Sequence, residues 1–257
     1  MPKKILKNKP LVEAIFELRW ELQEPVSGIK IDPHYKVIVG RIYDKLYSEY
    51  PFHEQLPTAS MPDEIAGHVV QHRFRKGNDQ WPLIQVGPGI ITVNDTEGYI
   101  WDDFEKRIIQ SIGILFEVYP DSKNNLKINS AILRYIDAIA FDFEKEDIFN
   151  FLSEQMKTKI SFYKNLFENT GVSEKPLSFD LQASFESTKP LGSCHLRFSR
   201  GKIKETDALI WETAVQSIME DVPKDQVEIA RWLQEAHELT DDWFFKLIEG
   251  ELLRRFE

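Results

Sequence analysis

The stretch LVEAIFELRWEL, residues 11–22, decides the fold class. Val12, Ala14, Phe16, Leu18, Trp20 and Leu22 alternate with a set that includes Glu13, Glu17, Arg19 and Glu21. A period of two marks a strand with one face turned to a core. Its charged face has three destinations: water, a cover supplied by the rest of the chain, or a groove between two halves of the molecule. Antiparallel sheets commonly leave one face wet.

Working outward, Asp32-Pro33 opens a helix, with Asp as N-cap and Pro at the first helical position. Tyr35, Ile38, Val39, Ile42 and Leu46 follow at helical spacing, and Pro51 ends it. HVVQHRFR (68–75) reads as a strand and GNDQ (77–80) as a turn. PLIQV (82–86) and IITVN (90–94) read as one second arm bent at GPG, where Gly tolerates unusual dihedrals. Residues 101–118 carry Trp101, Phe104, Ile108, Ile112 and Leu115 on one helical stripe, and 127–141 is a long strand. This order predicts an α+β fold: an antiparallel sheet with helices packed on one face, its first half a ferredoxin-like βαββαβ unit.

The second half reads α-β-β-β-α. Helices are expected over 146–157 and 160–168, strands over 178–187, 194–200 and 208–218, and a helical pattern from Pro223 to the end. Asp221 can cap that last element, and Thr240 could cap a second helix within it. The expected division is 1–142 and 143–257, with a soft boundary that also admits one compact unit.

Composition narrows the function classes. A chain of 257 residues with 42% hydrophobic and 29% charged content can bury a sizeable core. The single Cys194 excludes an internal disulfide framework and a thiolate metal site, and points to a reducing, cytoplasmic home. No run approaches a membrane span, and no signal-type apolar segment follows the basic start MPKKILKNKP. Glu205 to Glu257 hold 14 acidic and 5 basic residues, so nearly all of the net charge of −10 lies there. That acidic segment is a solvated helix surface or a docking face for a basic partner, and it opposes phosphate binding on that side.

Residues able to carry chemistry are few. The glycines of QVGPGIITVN match no phosphate-binding pattern. His68 and His72 lack a third ligand, so no metal is expected, and no cofactor motif occurs. Cys194 and His195 are adjacent and point to opposite faces of a strand, which leaves Cys194 a small buried hydrophobe. HLRFSRGK (195–202) has the flavour of an RNA-binding string without its pattern. With Arg73, Arg75, Lys76 and Lys204 it makes nucleic-acid binding an open but unfavoured reading. The most interesting polar set lies on strands: Glu13, Glu17 and Arg19 on the first, Arg134 and Asp137 on the 127–141 strand. Arg134 and Asp137 face opposite ways if that strand is regular. Asp137 then shares its face with Leu133, Tyr135 and Ile139, where a bare charge is costly. It either pairs with a partner or joins Glu13 or Glu17 in a polar pocket, where paired carboxylates could do acid–base work.

Four segments, PLVEAIFELRW, LIQVGPGIITVND followed by YIWDDF, LRYIDAI and AHELTDDWFFKLI, occur in this order. Together they resemble a sporadically distributed, functionally uncharacterised bacterial family with an N-terminal P-L-V-E-A-I-F-E-x-R segment and a central R-Y-I-N/D-x-I segment. The resemblance covers most of the chain. It implies an accessory role, such as antiphage defence or a toxin–antitoxin-like module. Glu13 and Arg134 match the family pattern, and the pattern often has Asn where this chain has Asp137, which favours binding over obligatory acid–base chemistry there. The expectation is a non-catalytic protein- or ligand-binding component, with a protein partner or a second copy meeting the C-terminal helix. The alternatives are an enzyme acting on nucleic acid or a nucleotide through the sheet carboxylates, and a scaffold subunit of a homo-oligomer.

Overall fold

The computed structural model describes residues 6–96 and 98–257. Strand β1 (Leu11–Trp20) is followed by a small ribbon, β2 (Gln23–Val26) and β3 (Ile29–Ile31), and by helix α1 (Tyr35–Leu46). Then come β4 (Phe52–Gln55), β5 (His72–Arg75), β6 (Leu83–Gly87), β7 (Ile90–Asp95), α2 (Trp101–Val118), α3 (Ser122–Asn125) and β8 (Ile128–Ala140). The remainder supplies α4 (Ile148–Gln155), β9 (Asp180–Thr188), β10 (Leu191–Ile203), β11 (Thr206–Ile218), α5 (Gln226–Leu247) and α6 (Glu251–Phe256).

Nine strands form one antiparallel sheet in the order β4-β5-β6-β7-β1-β8-β11-β10-β9. The stretch that decides the fold is therefore its central strand. β1 pairs β7 on one side and β8 on the other, and β8 in turn pairs β11, so the sheet is continuous from the first half of the chain into the second.

Ala14, Phe16, Leu18 and Trp20 are fully buried. Against them pack Ile38 and Ile42 of α1, Phe104, Ile108 and Leu115 of α2, and Ile229, Trp232 and Leu233 of α5, with Phe16 meeting Trp232 edge-on at 6.3 Å. Each such side chain contributes about 1.5–3 kcal/mol on leaving water. A second cluster gathers Phe141, Phe151, Leu152, Phe198, Trp211, Leu247 and Leu252 beside α4, α6 and the end of α5. The apolar stripe of the acidic C-terminal segment thus lies inside the protein's own core.

Several elements depart from the sequence expectation, each for a local reason. The bend at GPG is a hairpin: Gly87 pairs with Ile90, and Gly89 takes φ +75° between them. Pro88 fixes its own φ and Gly89 tolerates the positive one, which is turn chemistry rather than a bulge. One kinked arm becomes β6 and β7, and β4 and β5 add further strands at that edge, so the sheet is broader than the four strands of a ferredoxin-like unit. The helix expected over 160–168 is reduced to one 3-10 turn, Lys164–Leu166. Its residues are nearly all exposed, and a short helix without a buried face has little to hold it. Asp225, not Asp221, caps α5 by accepting from the Glu228 amide at 2.8 Å. Thr240 sits inside α5 with its hydroxyl donating back to the Ala236 carbonyl at 2.9 Å, and the break falls at Gly250, φ +117°. Asp32 does not cap α1 from its N-cap position. It accepts instead from the Trp20 indole at 2.9 Å, the His34 amide at 3.0 Å and the Gly89 amide at 3.3 Å, and so ties β1 to the hairpin turn.

Candidate functional site

The register of β1 on β8 separates the five sequence candidates. Phe16 lies opposite Leu133 and Ala14 opposite Tyr135 on the helix-covered face, while Ile15 opposes Arg134 and Glu17 opposes Ile132 on the other. Glu13, Glu17, Arg19 and Arg134 therefore share the opposite face, which carries none of the helices among the described residues. A shift of register between Leu11 and Glu13 leaves Val12 as the extra residue and puts Leu11 opposite Asp137, on the covered face. Asp137 does not meet Glu13 or Glu17.

On the uncovered face each charge has company. Asn94 donates to Glu13 at 2.7 Å, and Gln85 donates to both Thr92 and Asn94. Arg19 Nε lies 2.7 Å from Glu17 and Arg134 Nε 3.3 Å from Glu212. These two contacts are ion pairs whose angles fall short of hydrogen bonds. The arginines of the basic set are likewise paired: Arg75 with Glu54, Arg197 with Asp180, Arg200 with Asp207. Five strands separate β5 from β10, roughly 29 Å at the usual strand spacing, so Arg73 and Arg75 form no single patch with Arg197 and Arg200. His68 and His72 also part company: His68 Nε2 meets the Trp20 carbonyl at 3.0 Å, and His72 Nδ1 meets His53 Nε2 at 2.8 Å. Cys194 is buried in the core, with its thiol pushed up to about 11 by desolvation, while His195 faces the other way between Ser184 and Ser193.

The covered face holds a cavity of about 660 Å³. Its floor is the start of β1, the second half of β8 and the middle of β11: Leu11, Tyr135, Asp137 and Thr213. The segment before α2 and its first turn supply Tyr99, Trp101 and Asp102, and α5 supplies His237, Asp241, Phe244 and Phe245. Lys7 and Lys9 line it from the chain preceding β1. Each of the four segments quoted for the family resemblance contributes to this one lining.

The walls are tied together. The Trp101 and His237 rings stack at 3.6 Å, nearly parallel. The Tyr99 and Tyr135 hydroxyls are 2.9 Å apart, and the Tyr135 hydroxyl is 3.1 Å from His237 Nδ1. Burial holds the Tyr135 and Tyr99 hydroxyls well above the usual phenol range, so both stay protonated and serve as hydrogen-bonding groups. Lys9 donates to the Tyr99 carbonyl and lies 5.7 Å from its ring centre.

Asp137 stands apart from this network. It is 3% exposed, and among the described residues no hydrogen bond or ion pair reaches its carboxyl. Desolvation alone pushes it up to about 8, so the group is mostly protonated at neutral pH. On the neighbouring strand the Thr213 hydroxyl is buried without a hydrogen-bond partner. A cleft with apolar walls and a few convergent polar groups is the usual form of a small-molecule site.

Asp137 was legible in the sequence because a carboxylate on an apolar strand face demands an explanation. Tyr99, Trp101 and His237 were not, since each reads as core or helix stripe until α2 and α5 meet over β8. Among the described residues, no helix is long and apolar enough to cross a membrane. Fold and cavity together define an α+β protein with one broad sheet and a pocket of about 660 Å³ on its helix-covered face. The chain matches no protein-family model, and no curated protein matches it.

Proposed function

We propose that the protein is a non-catalytic ligand-binding component, and that its site is the cavity between β8, β11, α2 and α5. The observation that carries this reading is Asp137: a buried carboxyl with no partner among the described residues, on the floor of a cavity large enough for a small molecule. Burying such a group unpaired lowers stability and is kept where function requires it. The accessory role implied by the family resemblance, in a defence or toxin–antitoxin-like module, is compatible with a sensor or carrier of this kind. A protein partner would meet the acidic outer face of α5, because its apolar face is already buried.

Native mass spectrometry of protein purified gently from its own host tests the reading. Wild type is expected to carry a stoichiometric small-molecule mass. Leu11→Trp, which projects an indole into the cavity, is expected to lose it while keeping its fold. A folded wild type that stays bare, in host lysate and after ligand-library incubation, overturns the proposal.

A further inference from the structure

The ligand's chemical class can be read from the same cavity, provided that this cavity is the binding site. The geometry points to a protonated amine carried on an apolar, aromatic-sized body, with its ammonium group donating to the Asp137 carboxylate on the cavity floor. Four features converge on this class. Asp137 offers acceptor oxygens with no donor from the described protein. Thr213, on the adjacent strand, lines the same space and carries a buried hydroxyl without a hydrogen-bond partner. Tyr99, Tyr135, Phe244 and Phe245 present aromatic surface, which attracts a cation and its apolar body alike. Two further carboxylates, Asp102 and Asp241, line the same space. The lysines there do not reverse the preference for the floor: the Lys9 ammonium is held at the Tyr99 carbonyl, and Lys7 lies on the same N-terminal segment rather than on the strands that carry Asp137 and Thr213. An anion would find one hydrogen-bond donor on the floor, the protonated Asp137 carboxyl, and no cation among Leu11, Tyr135 and Thr213 beside it.

Binding then moves a proton. Free protein near neutral pH holds Asp137 as the carboxylic acid. Pairing with R–NH3+ converts it to the carboxylate, and the displaced proton goes to the buffer while the amine keeps its own three. Between about pH 5 and 8 the affinity should therefore rise about tenfold per pH unit, levelling once Asp137 is ionised without ligand. The other groups facing the site are Asp102, Asp241, His237, Lys7, Lys9, Tyr99 and Tyr135. Of these His237 alone has an ordinary titration range overlapping the window.

The experiment uses three probes of one shape: 2-phenylethylamine, 2-phenylethanol and phenylacetate. Each is titrated calorimetrically into the full chain at pH 6, 7 and 8, in two buffers of different ionisation enthalpy. The expected result is that the amine binds at least tenfold more tightly than the alcohol or the acid, releases close to one proton at pH 6–7, and tightens with pH. Asp137→Asn should bind the amine at least tenfold more weakly, without proton release. His237→Gln should retain the slope. Equal binding of amine and alcohol, both blocked by Leu11→Trp, would overturn the amine assignment and leave the cavity as the site. A slope that survives in Asp137→Asn would overturn the role of Asp137. Binding of none of the three probes at millimolar concentration would overturn the amine assignment, and a small-molecule mass seen on the host protein would then still keep the site.

Discussion

The two faces of the central strands treat the same residue type in opposite ways. On the uncovered face Glu13 and Glu17 are partly exposed, and each sits against a donor or a cation, Asn94 or Arg19. On the covered face, one strand away, Asp137 is buried and none of the described residues pairs with it. A carboxylate beside water costs little to keep charged, and its pairing contributes little, about 0–1 kcal/mol. A carboxylate inside the core costs several kcal/mol to ionise. The isolated buried group is therefore the more informative one, although the uncovered face holds more charge.

The sharpest way to test the contrast is through pH. Asp137 has a folded-state pKa of about 8, above its ordinary value of 3.8. Between those values the folded state binds more protons than the unfolded one, so stability falls as pH rises. The loss is absent below about pH 4, accumulates to pH 8 and is complete above it. Asp137→Asn should remove this dependence, stabilising the protein by on the order of 5 kcal/mol at pH 9 and little at pH 4. Denaturant unfolding of both proteins at the two pH values measures it. Equal stabilisation at both would mean that the carboxyl is not buried unpaired.

The next effect concerns two neighbours on β1. Phe16→Ala opens a void beneath Trp232 and should cost about 3–5 kcal/mol. Glu17→Gln, one residue on and on the other face, should change stability by less than about 1 kcal/mol, and the change should shrink in 1 M salt. Chemical denaturation at low and high salt compares them. Similar costs for both substitutions would show that the uncovered face is packed against something and is not wet.

How far the sequence could be read depends on the range of the forces involved. The strict alternation of residues 11–22 and the stripe over 101–118 each report a local period, and both elements are present as β1 and α2. The faces were legible too, since Arg134 and Asp137 differ by an odd number of positions on a regular strand and lie on opposite sides. The two-residue turn at Pro88-Gly89 was less visible, because apolar residues continue on both sides of it and mask the reversal. The helix expected at 160–168 failed because a periodic pattern alone cannot supply the surface it must pack on. Of the five candidate site residues, Asp137 lines the cavity and the other four do not.

By itself, then, the sequence determined an α+β chain with an amphipathic first strand, a fixed inside and outside for the central strands β1 and β8, and one carboxylate in an apolar setting. Those properties depend on neighbours within a few residues. Tertiary structure alone decided that β1 would sit at the centre of nine strands, and that residues as far apart as Lys9, Tyr99, Asp137 and His237 would enclose one space. Such a site depends on how helices and strands distant in the chain stack on one sheet, and no periodicity encodes that distance.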